Sequence, residues 1–170
     1  MSFWGDLKFT ERYRSRLKDF YRIKAKDGRY VFINKNGKLG KELQDKAVDT
    51  ILQITDNKEV YIEEKIVRWK GIKYTAFTLE TQSCSVKGHE KDGCMKYGEF
   101  DWLLYGFVQV DDSIKVYIIP FQKLKRWFWA NIISFPIIKT NQINKTICRI
   151  VDIELIKKEV GLKTFTIAPT

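Results

Sequence analysis

The chain has 170 residues, with 31 Lys+Arg against 21 Asp+Glu and a single His, for a formal net charge of +10. Hydrophobic residues make up 44 % and aromatics 14 %, with only 10 Gly and 3 Pro. This is the profile of one globular domain over residues 1–170, and it excludes the low-complexity, collagen-like and disordered classes. No run approaches the roughly 18 to 20 apolar residues of a membrane span, and the stretch Ile118 to Phe121 is broken by Pro120. The opening Met1-Ser2-Phe3-Trp4-Gly5-Asp6 lacks the charged segment and apolar run of a secretion signal. The odd set Cys84, Cys94 and Cys148 suits a reducing compartment. A cytoplasmic protein with no membrane partner is expected.

The positive charge is front-loaded. Residues 1–46 carry 13 Lys+Arg and 6 Asp+Glu, a balance of +7, so the other 124 residues share +3. Cationic side chains release condensed counterions on docking to nucleic acid, and the alternative is a solvated basic face. Phe9, Tyr13, Leu17, Phe20 and Tyr21 recur at helical steps, which predicts a first helix with an apolar stripe turned inward. Arg12, Arg14, Arg16, Lys18 and Arg22 between them are expected to form an outward face that binds nucleic acid.

Tyr30 to Ile33 reads as a short strand closed by a turn at Asn34-Lys35-Asn36-Gly37, and Lys41 to Lys46 as a second helix. Three strands follow, at Ala47 to Leu52, Val60 to Val67 and Tyr74 to Glu80, with turns at Asp56-Asn57-Lys58 and Trp69-Lys70-Gly71. Their short spacing predicts an antiparallel meander. Residues 83–99 read as a polar loop, the period of Phe100, Leu103, Leu104 and Phe107 as a helix, Lys115 to Phe121 as a strand and Gln122 to Asn131 as a helix. A strand around Ile147 to Ile153 and a tail complete the chain.

His89 stands alone in that loop, and no Walker-type or dinucleotide-binding glycine pattern is present. The chemistry left is that of carboxylates. Asp49 opens one strand, and Glu63-Glu64-Lys65 lies inside the next. Alternation puts Glu63 and Lys65 on one side and Glu64 on the other. If the two strands pair antiparallel, Asp49 meets Glu63 near one end of the sheet. Two carboxylates beside a lysine suit Mg²⁺ or Mn²⁺ and a substrate phosphate. The ordinary reading of such a triplet is a solvent-facing ion pair worth about 0.2 to 1 kcal/mol. Glu80 and Gln82 make a neutral version of the pattern, and Glu80 is expected as a supplementary metal ligand. Cys84, His89 and Cys94 are too few and too loosely spaced for a usual zinc site. Trp127-Phe128-Trp129 beside Lys123, Lys125 and Arg126 suggests base stacking, but helical steps assign the first two rings to the core and leave Trp129 outside.

The order of helix, Val48-Asp49-Thr50-Ile51-Leu52, turn, Val60-Tyr61-Ile62-Glu63-Glu64-Lys65 and then Phe77-Thr78-Leu79-Glu80-Thr81-Gln82-Ser83 resembles the PD-(D/E)XK nuclease superfamily, and within it small phage-type proteins. Asp101 to Tyr105 and Val116 to Phe121, followed by Leu124 and Trp127-Phe128, are similar to the segments after the core. The match spans residues 40–130. Val48 stands where the signature has proline, and Gly93-Cys94 where Gly-Trp is expected. The resemblance implies an α/β, restriction-endonuclease-like fold, a small mixed β-sheet flanked by helices. It implies a magnesium-dependent nuclease, a hydrolase of DNA, with Asp49 and Glu63 as metal ligands and Lys65 as the catalytic lysine. The competing class is a non-catalytic phage accessory protein that binds nucleic acid or protein on the same fold. The sequence leaves a homodimer open, and does not separate DNA from RNA or endo- from exonuclease action.

Overall fold

In the first helix, α1 (Phe3–Lys24), Leu17 and Tyr21 are fully buried and Tyr13 and Phe20 nearly so, as the stripe predicts. The computed structural model describes residues 3–25, 29–33, 38–68, 75–139 and 145–169; the turns expected at 34–37 and 69–71 lie outside these. Next come β1 (Tyr30–Phe32), α2 (Lys38–Gln44), β2 (Thr50–Thr55), β3 (Lys58–Val67), β4 (Ala76–Cys84), β5 (Lys91–Asp92) and α3 (Cys94–Tyr97). The second half holds β6 (Trp102–Val108), β7 (Ile114–Pro120), α4 (Phe121–Ala130), a 3-10 turn (Ile132–Ser134), β8 (Ile137–Lys139), β9 (Ile147–Asp152), α5 (Ile153–Glu159) and β10 (Lys163–Ile167). No helix among the described residues is long and apolar enough to cross a membrane.

The fold is mixed α/β with two sheets. The larger runs β1-β2-β3-β6-β7-β10 and the smaller β5-β4-β9-β8. In the larger sheet only β3 and β6 are parallel; the smaller is antiparallel throughout. One face of the larger sheet packs Leu52, Val60, Ile62, Leu104 and Val116 against the stripe of α1. The other packs Leu103, Tyr105, Phe107, Tyr117 and Ile119 against Phe77, Leu79 and Val151 of the smaller sheet and Phe121, Leu124 and Phe128 of α4.

Four expectations are corrected. The third strand does not continue a meander: β4 leaves for the smaller sheet and pairs with β9 and β5, because the place beside β3 is taken by β6. Residues 102–108 form a strand, not a helix. They sit mid-sheet with both faces covered, so apolar residues run almost unbroken and a helical period can be picked from them. The stretch 83–99 is not all loop, since it holds β5 and α3, and the final residues add α5 and β10 in place of a tail.

Candidate functional site

β3 divides its charged side chains as alternation requires. Glu63 and Lys65 pair in register with Leu103 and Tyr105 of β6, whose side chains belong to the core shared with the smaller sheet. Glu64 takes the opposite face and meets α1. Its carboxylate, 3 % exposed, lies 2.9 Å from Arg14 Nε as a charge contact, without the alignment of a hydrogen bond. It accepts hydrogen bonds from Thr50 Oγ1 at 2.5 Å and Tyr21 OH at 2.7 Å. Burial raises the Glu64 pKa, against the pull of Arg14 and these two hydroxyls.

Lys65 reaches into the space where the two sheets meet. Its Nζ donates to the Thr78 carbonyl at 2.8 Å and lies 5.5 Å from the centre of the Tyr105 ring. Burial works against the ammonium, yet Tyr105, Cys148, Cys94 and Glu80 around it leave its pKa raised. Glu80 comes from β4 across the sheet-to-sheet boundary. Burial raises its carboxyl pKa and the Lys65 charge opposes the rise. Its side chain makes no hydrogen bond or ion pair among the described residues.

α3 closes this space. A Cβ on Gly93 would stand 2.5 Å from the Glu80 carbonyl oxygen and 2.7 Å from Gln82 N, so only glycine lets α3 press this closely on β4. The helix carries Cys94, whose thiol is pushed up to about 12 by burial and by Glu63. It also carries Tyr97, 39 % exposed, whose phenol is pushed up to about 12 by burial, then by Cys94, Glu63, Glu80 and Asp49. The three candidate carboxylates thus all act on one exposed phenol.

Asp49 immediately precedes β2, and its own N–H donates to Ile62 O at 2.8 Å. Its Oδ2 accepts the Glu64 backbone N–H at 3.1 Å, and Oδ1 lies 3.8 Å from Arg14 Nη2. Arg14 Nη2 also donates to the Asp49 carbonyl at 2.5 Å. Asp49 is therefore held from the α1 side by Arg14 and by the Glu64 backbone, and acts on Tyr97 more weakly than Glu63 or Glu80 does.

The outward basic face expected on α1 is only partly present. Arg14 turns inward as described, and Arg16 is buried, donating to the Asp112 and Ala168 carbonyls at 2.7 and 2.6 Å. Arg12 is exposed and paired with Asp112 at 3.4 Å, Arg22 is exposed and paired with Asp19 at 3.2 Å, and Lys18 is exposed. All five lie on the helix that covers the sheet face opposite Glu63 and Lys65. Two long arginines flanking the apolar stripe reach carboxylates and carbonyls beneath it, which periodicity alone does not reveal.

Sequence reasoning passed over Thr78 and Tyr97 and weighed Cys94 only as a zinc ligand; the bracketing glycines Gly93 and Gly98 were the available sign of a tight helical turn. Among the described residues no three of His, Cys, Asp and Glu gather closely enough to hold a metal ion, and this includes the expected ligand set Asp49, Glu63 and Glu80 as well as Cys84, His89 and Cys94. The donors near Tyr97 are hard carboxylate oxygens, the kind Mg²⁺ takes one or two at a time together with water. A partly buried Glu80, with the Lys65 charge nearby but no hydrogen bond of its own among the described residues, is the donor with most to gain from a cation. Comparison with known families, curated proteins and solved structures gives no match.

Proposed function

We propose that the chain is a metal-dependent nuclease of restriction-endonuclease-like fold that hydrolyses phosphodiester bonds in DNA. The observation that carries this reading is Lys65 beside Glu80 where the two sheets join, with Glu63 on the same side of β3 and Asp49 hydrogen-bonded to the N–H of the neighbouring Glu64. Asp49 and Glu63 would hold Mg²⁺ or Mn²⁺, with Glu80 as a further oxygen donor. Such an ion, when bound, supplies the charge that polarises a phosphate and acidifies a water. Lys65 keeps its proton at neutral pH, so it acts as a cation that orients the attacking water or offsets charge building on the phosphate. One of its three hydrogens is held by the Thr78 carbonyl, which leaves two for that role.

That tether also favours a second reading, a nucleic-acid- or protein-binding protein that keeps the fold without turnover. A cleavage assay on linear, circular and branched DNA, with and without Mg²⁺ or Mn²⁺, separates the two. A nuclease cuts only with metal, and Asp49→Ala, Glu63→Ala or Lys65→Ala each lowers the rate at least about a hundredfold. Glu80→Ala costs less and is partly rescued by more metal. If Glu80→Ala abolishes cleavage while Glu63→Ala leaves it intact, β4 carries the site. No cleavage by the wild-type chain on any substrate selects the binding protein.

A further inference from the structure

On the site's own side of the larger sheet, α4 carries Lys123, Lys125 and Arg126 and no acidic residue. It is fastened to the α3 region by three bonds. Trp129 Nε1 donates to Met95 O at 2.8 Å, Lys125 Nζ to Gly98 O at 3.1 Å, and Gln122 Nε2 to Phe100 O at 3.2 Å. Phe121, Leu124 and Phe128 face the core, so helical geometry puts Lys123, Arg126 and Trp129 on the outward arc. Lys123 and Arg126 are exposed and have no ion-pair partner among the described residues. Some other exposed cations are taken, Arg12 by Asp112, Arg29 by Asp56, Lys46 by Glu99 and Lys96 by Asp92, while exposed lysines such as Lys18 and Lys58 stand singly along the chain. Trp129, 38 % exposed, has its one donor satisfied inward, and Tyr97 on α3 is exposed to the same degree.

We infer that a single-stranded nucleic-acid segment lies across α3 and α4, with Tyr97 and Trp129 stacking on bases and Lys123 and Arg126 meeting phosphates. The inference rests on the proposed function for the identity of the partner, but its geometry is independent of turnover. A strand reaching Glu63 and Lys65 cannot also follow the outer side of α1, because the sheet and a helix about 10 Å thick stand between. Indole and phenol rings accept any base face, whereas a fully paired duplex presents few base faces to them. The Tyr97 phenol stays neutral far above physiological pH, so it brings no charge that would repel a phosphate.

The test is a titration of fluorescein-labelled oligothymidylate, about 12 nucleotides long, followed by anisotropy in EDTA so that no cleavage is needed. Lys123→Glu with Arg126→Glu should weaken binding at least about tenfold and lower the salt slope by about 1.4. Tyr97→Ala should weaken it about fivefold or more, and Tyr97→Phe, which keeps the ring, less than about twofold. Lys18→Glu with Arg22→Glu on α1 should change it less than about twofold. The inference is overturned if the wild-type chain does not bind the oligonucleotide, if the α4 reversal or Tyr97→Ala leaves affinity unchanged, or if the α1 reversal weakens binding as much as the α4 reversal. Binding as expected without cleavage in Mg²⁺ or Mn²⁺ supports this surface and defeats the nuclease reading. Cleavage that survives the α4 reversal with unchanged affinity supports the nuclease and defeats this surface.

Discussion

Glu80 concentrates the cost of the site in one residue. Its carboxyl is partly buried, its pKa is raised by that burial above the ordinary 4.5, and the Lys65 charge opposes the rise without cancelling it. A raised native pKa means the folded chain holds this proton more tightly than the unfolded chain does. The contribution to stability is complete below about pH 4.5 and is lost as pH rises through the native value. At neutral pH the charged Glu80 is therefore a liability, and Glu80→Gln should raise Tm by about 2 to 4 °C, the shift that about 1 kcal/mol gives in a chain of this size. The gain should vanish below about pH 4, where both side chains are neutral. Scanning calorimetry across pH checks this, and a gain that persists at pH 3 assigns the effect to packing instead. Mn²⁺ should raise the Tm of the wild-type chain more than that of Glu80→Gln, since only the former keeps the negative charge of the carboxylate.

Among the elements, α1 is fixed less by its length than by one arginine. Arg14 lies between Glu64 of β3 and Asp49 at the start of β2, so a single side chain joins the helix to two of the three strands that bring acids to the site. Removing it would leave Glu64 buried, with its two hydroxyl donors but without its countercharge. Arg14→Ala should cost about 3 to 5 kcal/mol in urea unfolding, the usual penalty for breaking a buried pair from one side. Arg14→Lys should recover only part of that, because one ammonium cannot span Glu64 and Asp49 as the guanidinium does. Arg14→Ala combined with Glu64→Gln should cost less than Arg14→Ala alone; a larger cost would show that the pair is not the source of the loss. The stripe of α1 was legible because Leu17 and Tyr21 fall squarely on it, and so was the division of Glu63 and Lys65 from Glu64. The inward turn of Arg14 was not, since a long side chain beside a stripe goes either way until a carboxylate beneath it is known. The departure of β4 was equally illegible: alternation in Phe77-Thr78-Leu79 identifies a strand but says nothing about which sheet will pair with it. Lys65 and Glu80 therefore meet across a boundary between sheets that no spacing in the sequence encodes.

In the molecule as a whole, the site exists only while the two sheets stay together. Glu63 and Lys65 belong to the larger sheet and Glu80 to the smaller, and their relative placement is set by the packing between them. Phe77 is the pivot of that packing. It is fully buried, and its ring stands 4.8 Å from Tyr105, 5.9 Å from Phe107 and 5.2 Å from Tyr117, three side chains of the larger sheet. The core beneath α1 draws on different residues, Leu17, Leu52, Ile62 and Val116 among them. Phe77→Ala should therefore cost about 3 to 5 kcal/mol, and the loss should be uneven. In native-state hydrogen exchange, amides of β4, β9 and β8 should lose protection first, while those of β3 and β6, central in a sheet covered on both faces, keep theirs. Leu17→Ala should give the reverse, loosening α1 and leaving β4 and β9 protected. If Phe77→Ala lowers protection equally in both sheets, the smaller sheet has no separate opening. The two sheets then unfold as one unit, and the site is exactly as stable as the whole chain.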